Sequence, residues 1–163
     1  MFMGGFTLIE NTLLCDQADF LYDAAAKRLY TLAFYAAGNE NMATEITINA
    51  FVSSFYRIDD RSNVDLFLLL GMREIYRQGI KERIRSFWSL YLPKSNSSYM
   101  INGKTSPLIN ALSNLSYSKR FVLLLSCWQQ LSVCQIAQIM RLPRFVIHRI
   151  LYAAIKRVAK EIN

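Results

Sequence analysis

The sequence has few of the residues that build metal and catalytic sites. Its 163 residues include one histidine, His148, and three cysteines, Cys15, Cys127 and Cys134, which lack the paired spacing of metal ligands. No serine or cysteine stands at the spacing of a nucleophile elbow, and no glycine-rich phosphate loop is present. These absences argue against an enzyme and against a bound metal or cofactor. The odd cysteine set predicts reduced, mostly buried thiols in a cytosolic protein.

Glycine and proline are also scarce, at six and three residues, and no apolar run reaches the ~20 residues that span a bilayer. Residues 1–15 are apolar, but they lack a basic region and contain Glu10. We therefore expect no signal peptide, no membrane insertion and a cytoplasmic location. The chain is 53% hydrophobic, so it can bury a core. Its many leucine, isoleucine, alanine and arginine residues favour an all-α fold.

Charge is distributed unevenly along the chain, whose net charge is +7. Residues 1–65 carry four basic and nine acidic side chains, a balance of −5. Residues 66–107 carry seven basic and two acidic side chains (+5), and residues 108–163 carry eight basic side chains and one acidic one (+7). Such an excess of cations in a small segment attracts a polyanion, although a solvated basic face has the same composition.

A polar stretch rich in proline, serine, asparagine and glycine divides the chain. It predicts a flexible linker over residues 92–107, between a helical domain at 1–91 and a second one at 108–163. Apolar residues at helical spacing predict the helices. Their expected bounds are 16–37, 42–56, 64–88, 107–115, 118–129, 133–140 and 143–162. Gly38 and Asn39 should end the first helix. Gly79 lies within the third predicted helix, which is therefore either one long helix or a helix broken at this glycine.

Four basic residues of the third predicted helix follow one another at intervals of four. They are Arg73, Arg77, Lys81 and Arg85. Because residues four apart are neighbours on a helix surface, this spacing predicts a basic stripe. The stripe is compatible with nucleic-acid contact and with an ordinary solvated face.

The last two predicted helices have the pattern of a helix-turn-helix. Ser132 and Gln135 form the S-x-x-Q pattern of a capping box, and Pro143 suits the first position of the next helix. That helix places apolar residues on one face, whereas the residues predicted to face outward are Arg144, Phe145, His148, Arg149, Tyr152 and Lys156. A short capped helix, a tight turn and a longer cationic helix are typical of a unit whose second helix enters the DNA major groove. A helical hairpin with a solvated basic face is the alternative.

Residues 110–158 resemble region 4, the promoter-binding domain of sigma-70-type RNA polymerase sigma factors, and especially the two-domain extracytoplasmic-function type. The matching residues, without a gap, are Ala111, Leu112, Leu115, Arg120, Val122 to Leu125, Leu131, Ser132, Ile136, Ala137, Ile139, Ile147 and Leu151. Leu29-Tyr30-x-Leu32-Ala33 and Ala43-Thr44-Glu45-Ile46-x-x-x-x-Phe51 are similar to region 2 of the same family. The resemblance covers most of residues 20–160.

The resemblance implies an all-α chain in which a region 2-like domain and a region 4-like helix-turn-helix domain are joined by the linker. It implies a transcription initiation factor that docks on RNA polymerase core and directs it to promoters. The outward residues of the last helix would contact the −35 element, and the stripe on the third helix would contact the −10 element or single-stranded DNA. Glu45, Ile48 and Asn49 would face the polymerase. Promoter DNA, core polymerase and an anti-sigma protein are the implied partners.

The chain departs from the family pattern at several positions that the family uses for function. Ile48 and Asn49 replace the glutamine and glutamate presented to polymerase, and Arg73 replaces an asparagine. Arg141 replaces the glycine of the turn, and His148 replaces a lysine. Two alternatives therefore stay open: a sigma-like DNA-binding regulator, or a helical interaction protein of the anti-sigma-binding kind, neither of which binds core polymerase.

Overall fold

The chain forms seven α-helices in a computed structural model that describes residues 5–89 and 107–162, with the side chains of 12–84 and 108–162. The helices are α1 (Gly5–Ala37), α2 (Glu40–Arg57), α3 (Val64–Ser89), α4 (Pro107–Ser113), α5 (Tyr117–Cys127), α6 (Val133–Met140) and α7 (Arg144–Ile162). Every regular element in the described ranges is helical, so the predicted all-α fold is confirmed. None of the described helices combines the length and the apolar character that a membrane span requires.

Helices α1, α2 and α3 pack against one another around a core that includes Leu29 and Phe67. Gly38 ends α1 with a φ of 74°, a conformation that glycine adopts without steric cost. Asn39 then caps α2, because its side-chain oxygen accepts a hydrogen bond from the Met42 amide at 3.2 Å. The predicted break between the first two helices is therefore confirmed.

Helices α4 to α7 form the second group, in which α5 is the central helix. Its run Phe121 to Leu125 is buried throughout, as a run that is apolar nearly all round predicts. Helix α7 packs on α4, α5 and α6 and covers this run from the outside. The helix bounds of this group agree with the predicted ones to within two residues at each end.

The two groups pack directly on each other and share one hydrophobic cluster. The ring of Tyr117 lies against Gly79 of α3, and its hydroxyl donates a hydrogen bond to the Ile75 carbonyl at 3.1 Å. Arg120 of α5 reaches the Ala36 carbonyl at the end of α1, at 3.0 Å. The predicted division into 1–91, 92–107 and 108–163 stays a prediction, since the two groups share a core and most of the linker lies outside the described residues.

Two details differ from the sequence-based expectations. The thiols of Cys15, Cys127 and Cys134 are free but exposed, not buried. Cys127 lies in the last turn of α5, Cys134 lies in the first turn of α6, and Cys15 precedes Leu21, the first buried residue among the described side chains of α1. Helix α1 begins at Gly5 instead of residue 16. Of the two possibilities left open for the third helix the long one is observed, since α3 continues through Gly79 without a break.

Candidate nucleic-acid interface

The α6–turn–α7 unit is held by local hydrogen bonds that its sequence encodes. The capping box is confirmed: the Ser132 hydroxyl accepts from the Gln135 amide, and the Gln135 side chain accepts from the Ser132 amide at 2.9 Å. The amide of Leu142 donates to the Ala137 carbonyl at 3.1 Å and closes the turn. Arg141 adopts the left-handed conformation with a φ of 53°. The sigma factors that residues 110–158 resemble have glycine at this position. The turn therefore forms with Arg141 in a backbone conformation that is unfavourable for a residue other than glycine.

Helix α7 separates an inner and an outer face clearly. Ile147 and Ala154 are fully buried, and Leu151 and Val158 are partly buried beside them. The six residues predicted to face outward are all exposed on the opposite side: Arg144, Phe145, His148, Arg149, Tyr152 and Lys156. The structure therefore brings the six candidate residues together on one free helix face.

The electrostatic field of this face is positive over its whole length. The first turn of α7 contains no acidic residue, so the positive end of its helix dipole is not neutralised locally. The carboxylate of α7 belongs to Glu161 in the last turn, where it pairs with Arg157 at 3.4 Å and accepts from Asn114 at 3.0 Å. Arg144, Arg149 and Lys156 consequently present their charges to solvent and to any polyanion that approaches.

Arg73, the first residue of the predicted stripe on α3, lies at the end of α6 instead of facing solvent. Its guanidinium donates to the Gln138 carbonyl at 3.1 Å and so satisfies one of the free carbonyls of the last turn of α6. Its Nε is buried without a hydrogen-bond partner. Burial, and then repulsion from Arg141 and Arg57, lower the pKa of Arg73.

The other residues of the stripe have different surroundings. Arg77 pairs with Glu74 through two hydrogen bonds, one of them from Nε to Oε2 at 3.0 Å. Lys81 is exposed, and the side chain of Arg85 lies outside the described residues. The described part of the stripe is thus not a uniform solvated face, and its contact with nucleic acid stays a prediction.

The three residues predicted to face polymerase lie together on the exposed side of α2. Glu45 and Asn49 are exposed, and Ile48 is 58% exposed. Ile48 borders an open groove of about 680 Å³ between α1 and α2, which Tyr22, Tyr30, Phe51 and Val52 also line. This surface is therefore apolar at its centre, unlike the cationic face of α7.

Glu74 is a charged residue that sequence reasoning missed, and it is only 2% exposed. Its carboxylate accepts from Arg77 and, at 2.9 Å, from Nε2 of the Gln78 side chain, and Nη1 of Arg57 lies 3.7 Å away. Burial opposes ionisation, but the hydrogen bonds from Arg77 and Gln78 and the charges of Arg77 and Arg57 outweigh it and lower the pKa of Glu74. Arg77 and Gln78 follow Glu74 by three and four residues, so the sequence could have indicated these two partners, whereas it gives no signal for Arg57 on α2 or for the burial.

Comparison with protein-family models and with curated proteins finds no match. Among solved structures, the fold is similar to the sigma factor RpoE from Bartonella quintana, solved in complex with the anti-sigma factor NepR. The TM-score is 0.63 at 15% sequence identity, and the match covers 84% of this chain and 91% of that one. The chain therefore has a sigma-factor-like fold in both helix groups.

Proposed function

We propose that the chain is a sigma-like transcription initiation factor of the extracytoplasmic-function type, which binds promoter DNA and docks on RNA polymerase core. The observation that supports this proposal most directly is the exposed cationic face of α7, which is the second helix of the helix-turn-helix. The sigma-factor-like fold around this unit supports it, since the same kind of fold is found in RpoE.

The α7 face has the chemistry that duplex DNA requires. An α-helix fits the major groove, and the first residues of a recognition helix reach the base edges. Arg144 and Arg149 carry planar guanidinium groups, which form paired hydrogen bonds with guanine O6 and N7 or with phosphate oxygens. Lys156 lies three turns along α7 from Arg144, where a flexible ammonium group suits a phosphate. His148 and Tyr152 lie between these cations.

We infer that the exposed Arg77 and Lys81 contact the −10 element or single-stranded DNA directly, whereas Arg73 does so only after α3 and α6 separate. In the packed structure the guanidinium of Arg73 is held by its hydrogen bond to the Gln138 carbonyl. Arg73 is desolvated and repelled there, which weakens the packed arrangement and favours an alternative partner such as a phosphate.

For polymerase we propose the exposed side of α2. Ile48 and Val52 provide apolar contact area next to the groove at Tyr22, whereas Glu45 and Asn49 provide polar contacts at its rim. Protein interfaces commonly combine an apolar centre with a polar rim. Because Ile48 and Asn49 differ from the family pattern, docking here depends more on apolar contact than the resemblance implies.

Purified bacterial core polymerase tests the proposal. We expect it to retain the full-length chain at low salt, and the reconstituted complex to start transcription from fragments selected out of bacterial DNA. The variant I48E/V52E, which places charges at the centre of the α2 surface, should lose polymerase binding but keep DNA binding. Failure of the unmodified chain to bind core polymerase at low salt would exclude an initiation factor.

A second candidate is a sigma-like regulator or interaction protein that does not bind polymerase. It is favoured by a second apolar groove, of about 800 Å³, which is bordered by Leu108, Leu112, Trp128 and Ile155. RpoE is described in complex with an anti-sigma factor, so we propose an anti-sigma protein as the occupant. DNA binding without polymerase binding would indicate the regulator. Co-purification with a small protein and no DNA binding would indicate the interaction protein.

A further inference from the structure

Phe145 occupies the centre of the cationic face of α7 although nothing in the fold requires a phenylalanine there. Its side chain is 64% exposed, in the first turn of the helix. Arg144 precedes it, and His148 and Arg149 follow it by three and four residues, so its neighbours on the helix surface are cations or potential cations. Single exposed apolar residues are common on protein surfaces, but this one lies among cations in the first turn of the second helix of a helix-turn-helix.

The neighbours of Phe145 read bases and phosphates by hydrogen bonds, but a phenyl ring cannot donate or accept one. The major groove displays a single apolar group, the C5-methyl of thymine. Residues in the first turn of a recognition helix lie closest to the base edges. An exposed phenyl group in this turn, surrounded by phosphate-binding and guanine-binding side chains, therefore has one matching partner on duplex DNA.

We propose that Phe145 is a specificity-determining residue that contacts the thymine methyl group in the major groove. This inference rests on the proposed DNA binding and goes beyond it, since it names the base and the group recognised. Tyr152 is 70% exposed two turns further along α7, about 10 Å from Phe145 at 1.5 Å per residue, so it lies outside the first turn, whose residues reach the base edges. It should therefore not share this role.

Uracil-containing DNA provides a direct probe, because uracil differs from thymine only in lacking the C5-methyl group. A random 20-base-pair duplex library selected with the full-length chain gives a consensus sequence. Each thymine of the consensus duplex is then replaced by uracil, one at a time, and binding is measured by fluorescence anisotropy. For the unmodified chain we expect at least one position at which the replacement weakens binding about fourfold, which corresponds to ~0.8 kcal/mol for one methyl group.

The variant F145A should bind the thymine duplex more weakly, by a similar factor, and should no longer distinguish thymine from uracil at that position. F145L keeps an apolar side chain and should retain part of the difference, whereas the matched control Y56A, which removes an aromatic ring that is 80% exposed on α2, should retain all of it. Because both residues are exposed, the variants should keep the helical circular dichroism of the unmodified chain.

Two other outcomes separate the inference from the proposed function. If the unmodified chain binds no duplex, both are overturned. If it binds duplexes but shows no sequence preference, or if F145A keeps the full thymine–uracil difference, then DNA binding stands and the role of Phe145 is overturned.

Discussion

The phenol of Tyr117 fills the space that a side chain at position 79 would need. A Cβ atom built on Gly79 would lie 2.1 Å from Oη and 2.2 Å from Cζ of Tyr117. The same hydroxyl donates to the Ile75 carbonyl, and burial raises the pKa of Tyr117 well above its usual value. At Gly79, therefore, a side chain of α5 in the second helix group lies directly against the backbone of α3 in the first.

We expect Gly79→Ala to destabilise the chain by about 1–2 kcal/mol. Displacing the ring costs ~1–3 kcal/mol as overpacking, and the better helix propensity of alanine offsets up to ~1 kcal/mol of this. Urea unfolding followed by circular dichroism measures the difference. Gly71→Ala in the same helix is the control: its Cβ would meet the flexible δ-carbons of Leu29 at 2.9 Å, so the loss should be smaller. A Gly79→Ala variant as stable as the unmodified chain would contradict this packing.

Arg141 should be replaceable by glycine with a gain in stability. A non-glycine residue in the left-handed region costs ~1–2 kcal/mol, and the extra freedom of glycine in the unfolded chain returns ~0.4–1 kcal/mol of that. Removing the guanidinium also relieves its repulsion of Arg73. We expect Arg141→Gly to raise the free energy of unfolding by about 1 kcal/mol, measured by urea unfolding.

Arg141→Ala separates the two contributions, because alanine removes the charge and keeps the strained backbone. It should stabilise the chain less than glycine does. Equal stabilisation by alanine and glycine would mean that charge repulsion, and not the left-handed conformation, is the cost at this turn.

Replacing Glu74 by glutamine should destabilise the chain at neutral pH and hardly at all in acid. The side-chain amide of glutamine is neutral and cannot replace the charge-assisted hydrogen bonds of the carboxylate. We therefore expect the free energy of unfolding to fall by about 2 kcal/mol at pH 7. The folded-state pKa of Glu74 is lowered, so its contribution is fully present above the unfolded-state pKa, near 4.5. It is lost as the pH falls through the folded-state pKa.

Urea unfolding of both proteins between pH 7 and pH 3 checks this linkage. The stability difference between the unmodified chain and Glu74→Gln should shrink steadily below about pH 4.5. A difference that stays constant over this range would show that shape, and not charge, accounts for the effect of the substitution.

Charge reversal on α7 should abolish duplex binding if the outer face is the DNA interface. We expect Arg144→Glu with Arg149→Glu to remove measurable binding of a 25-base-pair duplex at ~100 mM salt, because both cations neutralise phosphate or base acceptors. Lys156→Ala should weaken binding for all sequences alike and lower the slope of log affinity against log salt by ~0.9. Fluorescence anisotropy over a salt series measures both.

Lys27→Glu is the control for charge reversal as such, since Lys27 is an exposed cation on α1, outside the α6–α7 unit. Its binding should match that of the unmodified chain apart from a small change with net charge. If reversal at Arg144 and Arg149 has no larger effect than reversal at Lys27, the α7 face is not the interface.

The sequence predicted the local features of the second helix group closely. The bounds of α6, its capping box and the inner and outer faces of α7 all follow from side-chain chemistry within a few residues. The separation of α1 from α2 at Gly38 and Asn39 was also predicted, because it too depends on the conformational preferences of neighbouring residues. The three cysteines were predicted to be mostly buried but are exposed. The number and spacing of cysteines do not reveal which of them the packing of the helices covers.

The sequence by itself therefore determined which segments are helical, where most of them end, and that α7 carries a cationic outer face. Those properties depend on residues one to four positions apart. Only the tertiary structure decided that Tyr117 lies on Gly79 and that Arg73 reaches Gln138, which is 65 residues away. It also decided that Glu74 is buried and that Arg57 of α2 lies 3.7 Å from its carboxylate. Contacts across such distances depend on how whole helices pack, and no local pattern in a single sequence records that.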